Sequence, residues 1–387
     1  MSRVLVDSGI DWIGKIPTNW NVQPLGLYLK ERKEKVSDID YEPLSVTKNG
    51  IVPQLENAAK SDAHDQRKKV CKFDFVINSR SDRKQSCGIS YLEGSVSLIN
   101  IVLKIYKYYP EYIKYALDNN MFSEEFYRNG HGIVADLWTT KYSEMKHIRI
   151  PEPNYDEQKK IAKFLDEKVK LIDETIENNK KEIELLDEYK VSFIDKEIFF
   201  EKTNNIKLKY LVKVRNEKGI SKTSNEFISL ENIESRTGNH IITETDYSNC
   251  SGKIFKKGDL LINKLRPYLA KSYLAEFDGV CTGEIEVISV FFGNINYLKY
   301  YTLSSKYIDL VNSSTYGTKM PRANWNFIKN MLIPNISIEK QTNVVNNINN
   351  INDKINQVIQ YRKQIIEKLE EYKKSLIYEA VTGKIEV

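Results

Sequence analysis

The sequence is poor in the residues and patterns that mark most membrane, secreted and metal-binding proteins. Its 387 residues include only four cysteines and four histidines, and no two cysteines form the C-x-x-C pair of a zinc or redox site. No apolar run approaches the roughly 20 residues that a membrane-spanning helix needs. The amino-terminal residues also lack the apolar core of a signal peptide. These shortages predict a soluble, cytoplasmic protein without a disulfide framework.

Sequence signatures of catalysis are missing as well. The phosphate-binding loop, the dinucleotide fingerprint, the H-E-x-x-H zinc motif and the nucleophile elbow do not occur. The Asn/Asp-Pro-Pro-Tyr/Phe tetrapeptide typical of amino-methyltransferases is absent too. The scattered histidines suit surface or packing positions; they are His64, His131, His147 and His240. The sequence therefore predicts no catalytic residue, no metal ligand and no cofactor bound by this chain.

One stretch of the chain occurs twice. Residues 150–198 and residues 333–381 superpose without a gap at a single offset, which places Gln158 on Gln341. Unrelated helical sequences do not keep register over such a length. The pattern indicates an internal duplication.

Both copies predict a long helix with a coiled-coil seam. Asn154 and Ser337 align and each suits the N-cap position, and Glu157 adds the residue that a capping box needs in the first copy. A helix from about residue 155 to 199 is about 65 Å long. The apolar residues follow heptad spacing, which is typical of a coiled coil. The seam comprises Leu165, Ile172, Ile176, Ile183, Leu186, Phe193, Ile348, Ile355, Ile359, Ile366, Leu369 and Leu376.

Polar residues interrupt this seam. Such breaks commonly fix the register of a coiled coil at some cost in stability. They are Asn179, Lys190, Asn352, Arg362 and Lys373.

The segments before the helices read as two diverged copies of a mixed α and β domain. β-branched and aromatic runs predict strands at residues 74–78 and 99–103. The matched segments are 259–263 with 74–78, 272–274 with 90–92, and a helix at 297–310 with one at 111–120 that extends towards residue 126. A Gly-rich turn at 130–132 matches the turn at 317–320.

Chain order then predicts the architecture. The first helix leads from the first domain to the second, so a second helix that pairs with it over its full length must run back, antiparallel. We expect an α+β fold with two similar mixed α/β domains, separated by two long helices that form an antiparallel coiled coil in a pseudo-two-fold arrangement. The predicted boundaries are 1–152 and 201–335 for the domains and 153–200 and 336–387 for the helices. The carboxyl end should return to the first domain, and an apolar lead-in at residues 1–20 should dock there.

Basic loops follow the same strand in both halves. The net charge of +5 permits a polyanionic partner without requiring one. Arginine reads guanine edges with two hydrogen bonds, and lysine holds phosphates. Because a basic loop follows the same strand in both halves, contact with DNA is favoured over an ordinary solvated loop. The candidate DNA-binding residues are Arg80, Arg83, Lys84, Lys264, Arg266, Tyr268, Lys319 and Arg322.

In order along the chain, these features match one known family. The lead-in Trp-Ile-Gly-x-Ile-Pro lies at 12–17, and Ile-x-x-Pro precedes Glu-Gln-x-x-Ile at 150–161. A weaker second helix entry lies at 333–344, and Val-Thr-Gly-Lys-Ile ends the second helix at 381–385. The chain resembles the specificity (S) subunit of type I restriction–modification systems, the HsdS family, over nearly its whole length. The second helix entry departs from the first at two positions. It has Ile336 where the first has Pro153, and Lys340 where the first has Glu157.

The resemblance implies a non-catalytic subunit. Each globular domain would be a target recognition domain that reads one half of a bipartite, asymmetric double-stranded DNA site, and the helices would set the spacer. Two methyltransferase (M) subunits and then restriction (R) subunits would join the complex, giving adenine-N6 methylation and ATP-dependent cleavage. S-adenosylmethionine, ATP and Mg²⁺ would belong to those partners.

Two other functions stay open from the residues alone. A stand-alone DNA-binding regulator would bind its target without partners. A coiled-coil scaffold would have no nucleic-acid role, and substitution of Arg83 and Arg266 would then leave DNA retention unaltered.

Overall fold

The computed structural model describes residues 3–55, 65–132, 138–200, 203–317 and 319–387, so His64 and Thr318 lie outside it. The chain divides into two compact units. Unit 1 comprises Met1–Asn178 and Ile365–Val387, and unit 2 comprises Asn179–Gln364.

Unit 1 contains short strands, short helices and the start of a long helix. The strands are β1 (Leu5–Asp7), β2 (Lys15–Pro17), β3 (Asn21–Pro24), β4 (Leu29–Glu31), β5 (Lys35–Val36), β6 (Leu44–Thr47), β7 (Gly50–Pro53), β8 (Arg67–Val70), β9 (Phe75–Asn78), β10 (Cys87–Ile89), β11 (Gly94–Val96), β12 (Asn100–Ile105) and β13 (Arg149–Glu152). The helices are α1 (Pro110–Leu117), α2 (Asn120–Arg128), α3 (Tyr142–Met145) and the long α4 (Tyr155–Ile198), which continues into unit 2.

Unit 2 repeats this plan and contains the start of a second long helix. The strands are β14 (Asn205–Lys207), β15 (Val212–Arg215), β16 (Lys218–Ile220), β17 (Phe227–Ile228), β18 (Ser251–Phe255), β19 (Leu260–Asn263), β20 (Ser272–Leu274), β21 (Gly279–Cys281), β22 (Ile285–Val290) and β23 (Leu332–Pro334). The helices are α5 (Ile295–Leu303), α6 (Ser305–Ser313), α7 (Trp325–Ile328) and α8 (Ile338–Val381), which ends in unit 1.

The two units share their sheet topology. The first sheet has the strand order β10-β9-β12-β4 in unit 1 and β20-β19-β22-β15 in unit 2. The second has the order β11-β8-β5 in unit 1 and β17-β21-β18-β16 in unit 2. In unit 1, β6 instead forms a hairpin with β7. The mixed α/β character predicted for both domains is confirmed.

The central strands are buried on both faces. In β9, Phe75 and Ile77 belong to the apolar cluster that includes α1 and α2, whereas Val76 belongs to a second cluster with Leu44 and Val96. Successive side chains of a strand point to opposite faces, so one strand serves both cores. β19 does the same in unit 2, where Leu260 and Leu261 lie in different clusters.

The amino-terminal lead-in docks onto unit 1, as the sequence predicts. Trp12, Ile13 and Trp20 are buried in its main apolar cluster. The carboxyl end reaches the same place, because Tyr378 Oη and Lys384 Nζ donate hydrogen bonds to the Ile13 carbonyl at 2.9 and 3.0 Å.

The two predicted long helices are confirmed, each with 44 residues. Asn154 Oδ1 accepts from the Glu157 amide at 2.9 Å, and Ser337 Oγ accepts from the Lys340 amide at 3.3 Å, so both predicted N-caps form. Every one of the twelve predicted seam residues is buried or half-buried.

Within each unit the helices pack antiparallel. In unit 2, Asn347 near the start of α8 donates to Glu197 near the end of α4 at 3.0 Å, and Arg362 further along α8 donates to Asn179 at 2.9 Å. In unit 1, Lys373 of α8 pairs with Asp173 of α4 at 2.7 Å. Residues further along α8 contact residues nearer the start of α4. This order confirms the predicted antiparallel direction of the two helices.

The helix predicted at 111–120 is present as α1, but its extension towards residue 126 and the single helix predicted at 297–310 are wrong, because a second helix begins in each region. Asn119 interrupts the first and caps α2, accepting from the Phe122 amide at 2.9 Å. Ser304 interrupts the second and caps α6, accepting from the Tyr307 amide at 3.3 Å. The capping side chain stabilises a new helix start at each break.

The predicted match of Ser272–Leu274 with residues 90–92 is displaced by three residues. β20 pairs with β19 so that Leu274 lies opposite Leu260, and β10 pairs with β9 so that Ile89 lies opposite Phe75. The strand equivalent to β20 is therefore Cys87–Ile89. The prediction was wrong because residues 90–92 have the same Ser-Tyr-Leu sequence as β20 but lie after the equivalent strand.

The described hydrogen bonds give the Glu157 side chain a role other than the predicted capping box. Its carboxylate accepts from Trp20 Nε1 at 2.9 Å and pairs with Arg3. The Glu157 carboxylate therefore contacts the amino-terminal lead-in instead of the backbone amide that a capping box would use.

Candidate nucleic-acid interface

The same side-chain turn begins the basic loop in both units. Asn78 ends β9, and its Oδ1 accepts from the Arg80 amide at 3.0 Å. Asn263 ends β19, and its Oδ1 accepts from the Leu265 amide at 2.8 Å. Asparagine side chains stabilise turns by such bonds to an amide two residues on. The chain therefore leaves the two sheets in the same way.

Each basic loop lies beside the segment that follows the Gly-rich turn. In unit 1 the Ser81 amide donates to the Trp138 carbonyl at 2.9 Å. In unit 2 the Arg266 amide donates to the Pro321 carbonyl at 2.7 Å, and the Ala323 amide donates to the Lys264 carbonyl at 2.8 Å. The structure thus brings Arg322 next to the loop at 264–268, although more than fifty residues separate them in sequence.

The three candidate DNA-binding side chains of unit 1 differ in solvent exposure and in their ion pairs. Arg83 is 69% exposed, and its Nε lies 3.9 Å from Asp82. Arg80 pairs with Asp82 at 3.1 Å, and Lys84 pairs with Glu124 at 2.9 Å. Arg83 is therefore the strongest unit 1 candidate for contact with a partner.

Two predicted side chains of unit 2 are held by carboxylates. Lys264 is largely buried and pairs at 2.7 Å with Glu286. Arg322 donates from Nε to Glu284 at 2.8 Å, and this bond raises the pKa of the arginine. Both groups are engaged within unit 2 and would have to exchange partners to meet DNA.

The other predicted residues of unit 2 include two that face solvent. Tyr268 and Lys319 are exposed. Arg266 is half-buried with a left-handed backbone (φ 51°), and its Nε is buried without a hydrogen-bond partner among the described residues. The DNA-binding roles of all eight residues stay predictions.

An ion pair that sequence reasoning missed recurs in both units, at the start of the strand that leads to each basic loop. Arg32 Nε donates to Asp74 at 2.7 Å, and Arg215 Nε donates to Asp259 at 2.8 Å. Each aspartate precedes the strand that leads to the basic loop and accepts a backbone amide as well. Arg32 and Arg215 align at the same offset as the repeated helices, so extending that alignment upstream would have found the pair.

No protein-family model and no curated protein matches the sequence significantly. Solved structures do match. One is a chain from a study of complex assembly and conformational transition in a type I R-M system, with a TM-score of 0.74, 11% identity and coverage of 96% of this chain and 99% of that one. Another is the HsdS subunit from Thermoanaerobacter tengcongensis, with a TM-score of 0.54, 14% identity and coverage of 96% and 98%.

The chain has the fold of a type I specificity subunit. Because both matches span almost the full length of both chains, the correspondence includes both units and both long helices. It is the whole architecture, rather than one shared domain, that is similar.

Among the described residues, no cluster of three or more His, Cys, Asp or Glu residues is placed to hold a metal ion. Nor does any described helix combine the length and apolar character needed to cross a membrane.

Proposed function

We propose that this chain is the DNA-specificity subunit of a type I restriction–modification complex. Each globular unit reads one half of a bipartite, asymmetric site in double-stranded DNA, and the paired helices set the spacer between the halves. The observation that carries this proposal is the fold correspondence over 96% of this chain and 99% of its structural neighbour.

The recurring basic loops supply the DNA contacts in this proposal. They follow equivalent strands, begin with equivalent asparagine turns and present Arg83 and Tyr268 to solvent, and Lys319 is exposed at the Gly-rich turn of unit 2. Phosphate contacts would position the protein, and contacts to base edges would specify sequence. Because the two loops differ in sequence, the two half-sites are expected to differ as well.

Catalysis belongs to partner subunits in this proposal. Two methyltransferase subunits carry S-adenosylmethionine, and restriction subunits carry ATP and Mg²⁺, in the cytoplasm. Exposed apolar side chains on the long helices offer docking area; they are Leu171, Leu185, Tyr189, Val358, Tyr361 and Tyr372. Aromatic residues are enriched in protein interfaces relative to other surfaces.

The deciding experiment is methylome sequencing of the natural host with and without this gene. We expect deletion to abolish adenine methylation at one asymmetric bipartite motif, and a plasmid copy of the gene to restore it. An unchanged methylome would contradict the proposal. Altered transcripts with unchanged methylation would favour the stand-alone regulator instead.

A further inference from the structure

A polar cleft of about 590 Å³ opens in unit 1 between the β6–β7 hairpin and the basic loop. Lys48 and Gln54 line it from the hairpin side, and Arg83 lines it from the loop side. Arg67 and Asn100 also line it. The cleft therefore joins the exposed Arg83 to a structural element that the sequence did not predict.

The hairpin is held in a defined position. Its turn is fixed by Thr47, whose Oγ1 donates to the Gly50 carbonyl at 2.9 Å and accepts from the Asn49 amide at 3.1 Å. The tip rests on β10, because a Cβ at Gly88 would lie 3.1 Å from the Cα of Gly50. Such close backbone contact fixes the lip of the cleft that carries Lys48.

The cleft carries an excess of positive charge. Arg67 is only 6% exposed and donates to Ser95 Oγ at 2.8 Å, and burial lowers its pKa without removing its charge. Lys48 and Arg83 add two exposed cations. Among the described lining residues, Asp82 supplies the carboxylate, and it already pairs with Arg80 at 3.1 Å. A polyanion with hydrogen-bonding edges fits such a surface.

Unit 2 differs from unit 1 at this position. Its equivalent of β6 is β17, which pairs with β21 in parallel as Pro43 beside β6 bridges Ser95 of β11, so the difference lies in the segment that follows. The following segment is organised by Asn232, which accepts from the Ser229 amide at 2.9 Å and donates to the Ile241 carbonyl at 3.1 Å. The two units thus share their sheets and basic loops but differ in the segment beside those loops. Residues that distinguish two half-sites are expected in the part that differs.

We propose that the β6–β7 cleft is the base-reading site of unit 1. Arg83 and Gln54 contact base edges of one half-site, and Lys48 holds a backbone phosphate. Arginine donates to the O6 and N7 atoms of guanine, and glutamine pairs with the N6 and N7 atoms of adenine. Lysine acts on phosphate as a point charge. This inference rests on the proposed function and names the residues that carry out half of it.

The test uses the host strain lacking the gene, complemented with full-length variants. In Arg83→Ala and Gln54→Ala, we expect the methylated motif to become degenerate at one or two positions of one half-site, with roughly tenfold or more loss of base preference. The other half-site should stay unchanged. Lys48→Ala should reduce methylation at the original motif without changing its sequence. Arg83→Lys, which keeps the charge but loses the two-pronged donor, should relax the same position as Arg83→Ala.

Arg128→Ala is the matched control. This residue of α2 is 66% exposed, pairs with Glu125 at 3.1 Å and is not part of the cleft lining. Its substitution should leave the motif unchanged, and thermal unfolding of each purified full-length variant checks the fold. A wild-type motif in the Arg83 and Gln54 variants would overturn the cleft assignment and leave the proposed function standing. Absence of any motif that depends on the wild-type gene would overturn both.

Discussion

A glutamine at the start of each long helix ties that helix to its globular domain. Gln158 accepts from the Tyr109 amide at 2.8 Å and donates to the Pro153 carbonyl at 2.9 Å. Gln341 accepts from the Asn294 amide at 2.7 Å and donates to the Ile336 carbonyl at 3.1 Å. Both glutamines are buried, and a buried polar group left unpaired is costly. This requirement explains why the duplication retains glutamine here.

Two equivalent tyrosines, by contrast, have different environments. Tyr112 Oη donates to the Val381 carbonyl at 3.0 Å. Tyr297 occupies the equivalent place in unit 2 with a buried hydroxyl that has no partner among the described residues. The repeated sequence does not distinguish them, since the difference arises from the segment that lies against each hydroxyl.

We expect Tyr112→Phe to lower the free energy of unfolding by about 1 kcal/mol, because it leaves the Val381 carbonyl without this donor. Tyr297→Phe is its matched control and should leave the free energy of unfolding unchanged or raise it slightly. Chemical denaturation of both full-length variants measures the difference. Equal losses in the two variants would contradict the assigned hydrogen bond.

At the level of helices, the polar breaks in the seam contact defined partners. Asn179 and Arg362 occupy equivalent positions of the duplicated helices, and they meet at 2.9 Å. Arg362 also pairs with Glu182, and its Nε is buried without a partner among the described residues. Lys190 instead pairs within its own helix, with Asp187 at 2.9 Å. The contact between Asn179 and Arg362 therefore joins α4 to α8, whereas the ion pair of Lys190 with Asp187 lies within α4.

Replacing this polar contact with an apolar one should stabilise the helix pair. We expect the double variant Asn179→Leu with Arg362→Leu to raise the free energy of unfolding by about 1 kcal/mol, because replacing buried polar pairs by apolar packing often stabilises a protein and this contact is partly buried. Asn178→Leu, at an exposed neighbouring position, is the control and should change little. Thermal and denaturant unfolding measure the effect, and a less stable double variant would show that the polar contact is a net contributor.

The helices and the sheets were not equally predictable. Heptad spacing and N-capping residues act locally, so the bounds of α4 and α8 followed from the sequence. The second helix starts at Asn119 and Ser304 were not predicted, although both residues suit the N-cap position. The β6–β7 hairpin was missed because its strands are short and half-exposed.

For the whole molecule, the proposed spacer can be tested by shortening both helices together. Residues 176–182 and 359–365 face each other, since Asn179 contacts Arg362. Removing both heptads shortens each helix by about 10 Å, which corresponds to about three base pairs of DNA.

We expect this double deletion to shift methylation to sites with a spacer about three base pairs shorter while both half-sites keep their sequences. Methylome sequencing measures both properties at once. Deleting 176–182 alone is the control; it breaks the match between facing seam residues and should abolish methylation. Continued methylation at the original spacing would show that the helices do not set the spacer.

The sequence by itself determined the duplication, the two long helices, their seam and the general character of the domains. These features depend on short-range periodicity and on one offset maintained along the chain. Tertiary structure decided which basic residues remain available to a partner. Lys264 is held by Glu286 and Arg322 by Glu284, whereas Arg83 stays exposed beside a cleft. Those outcomes depend on side chains from separate strands and loops, and their proximity is created only when the sheets assemble.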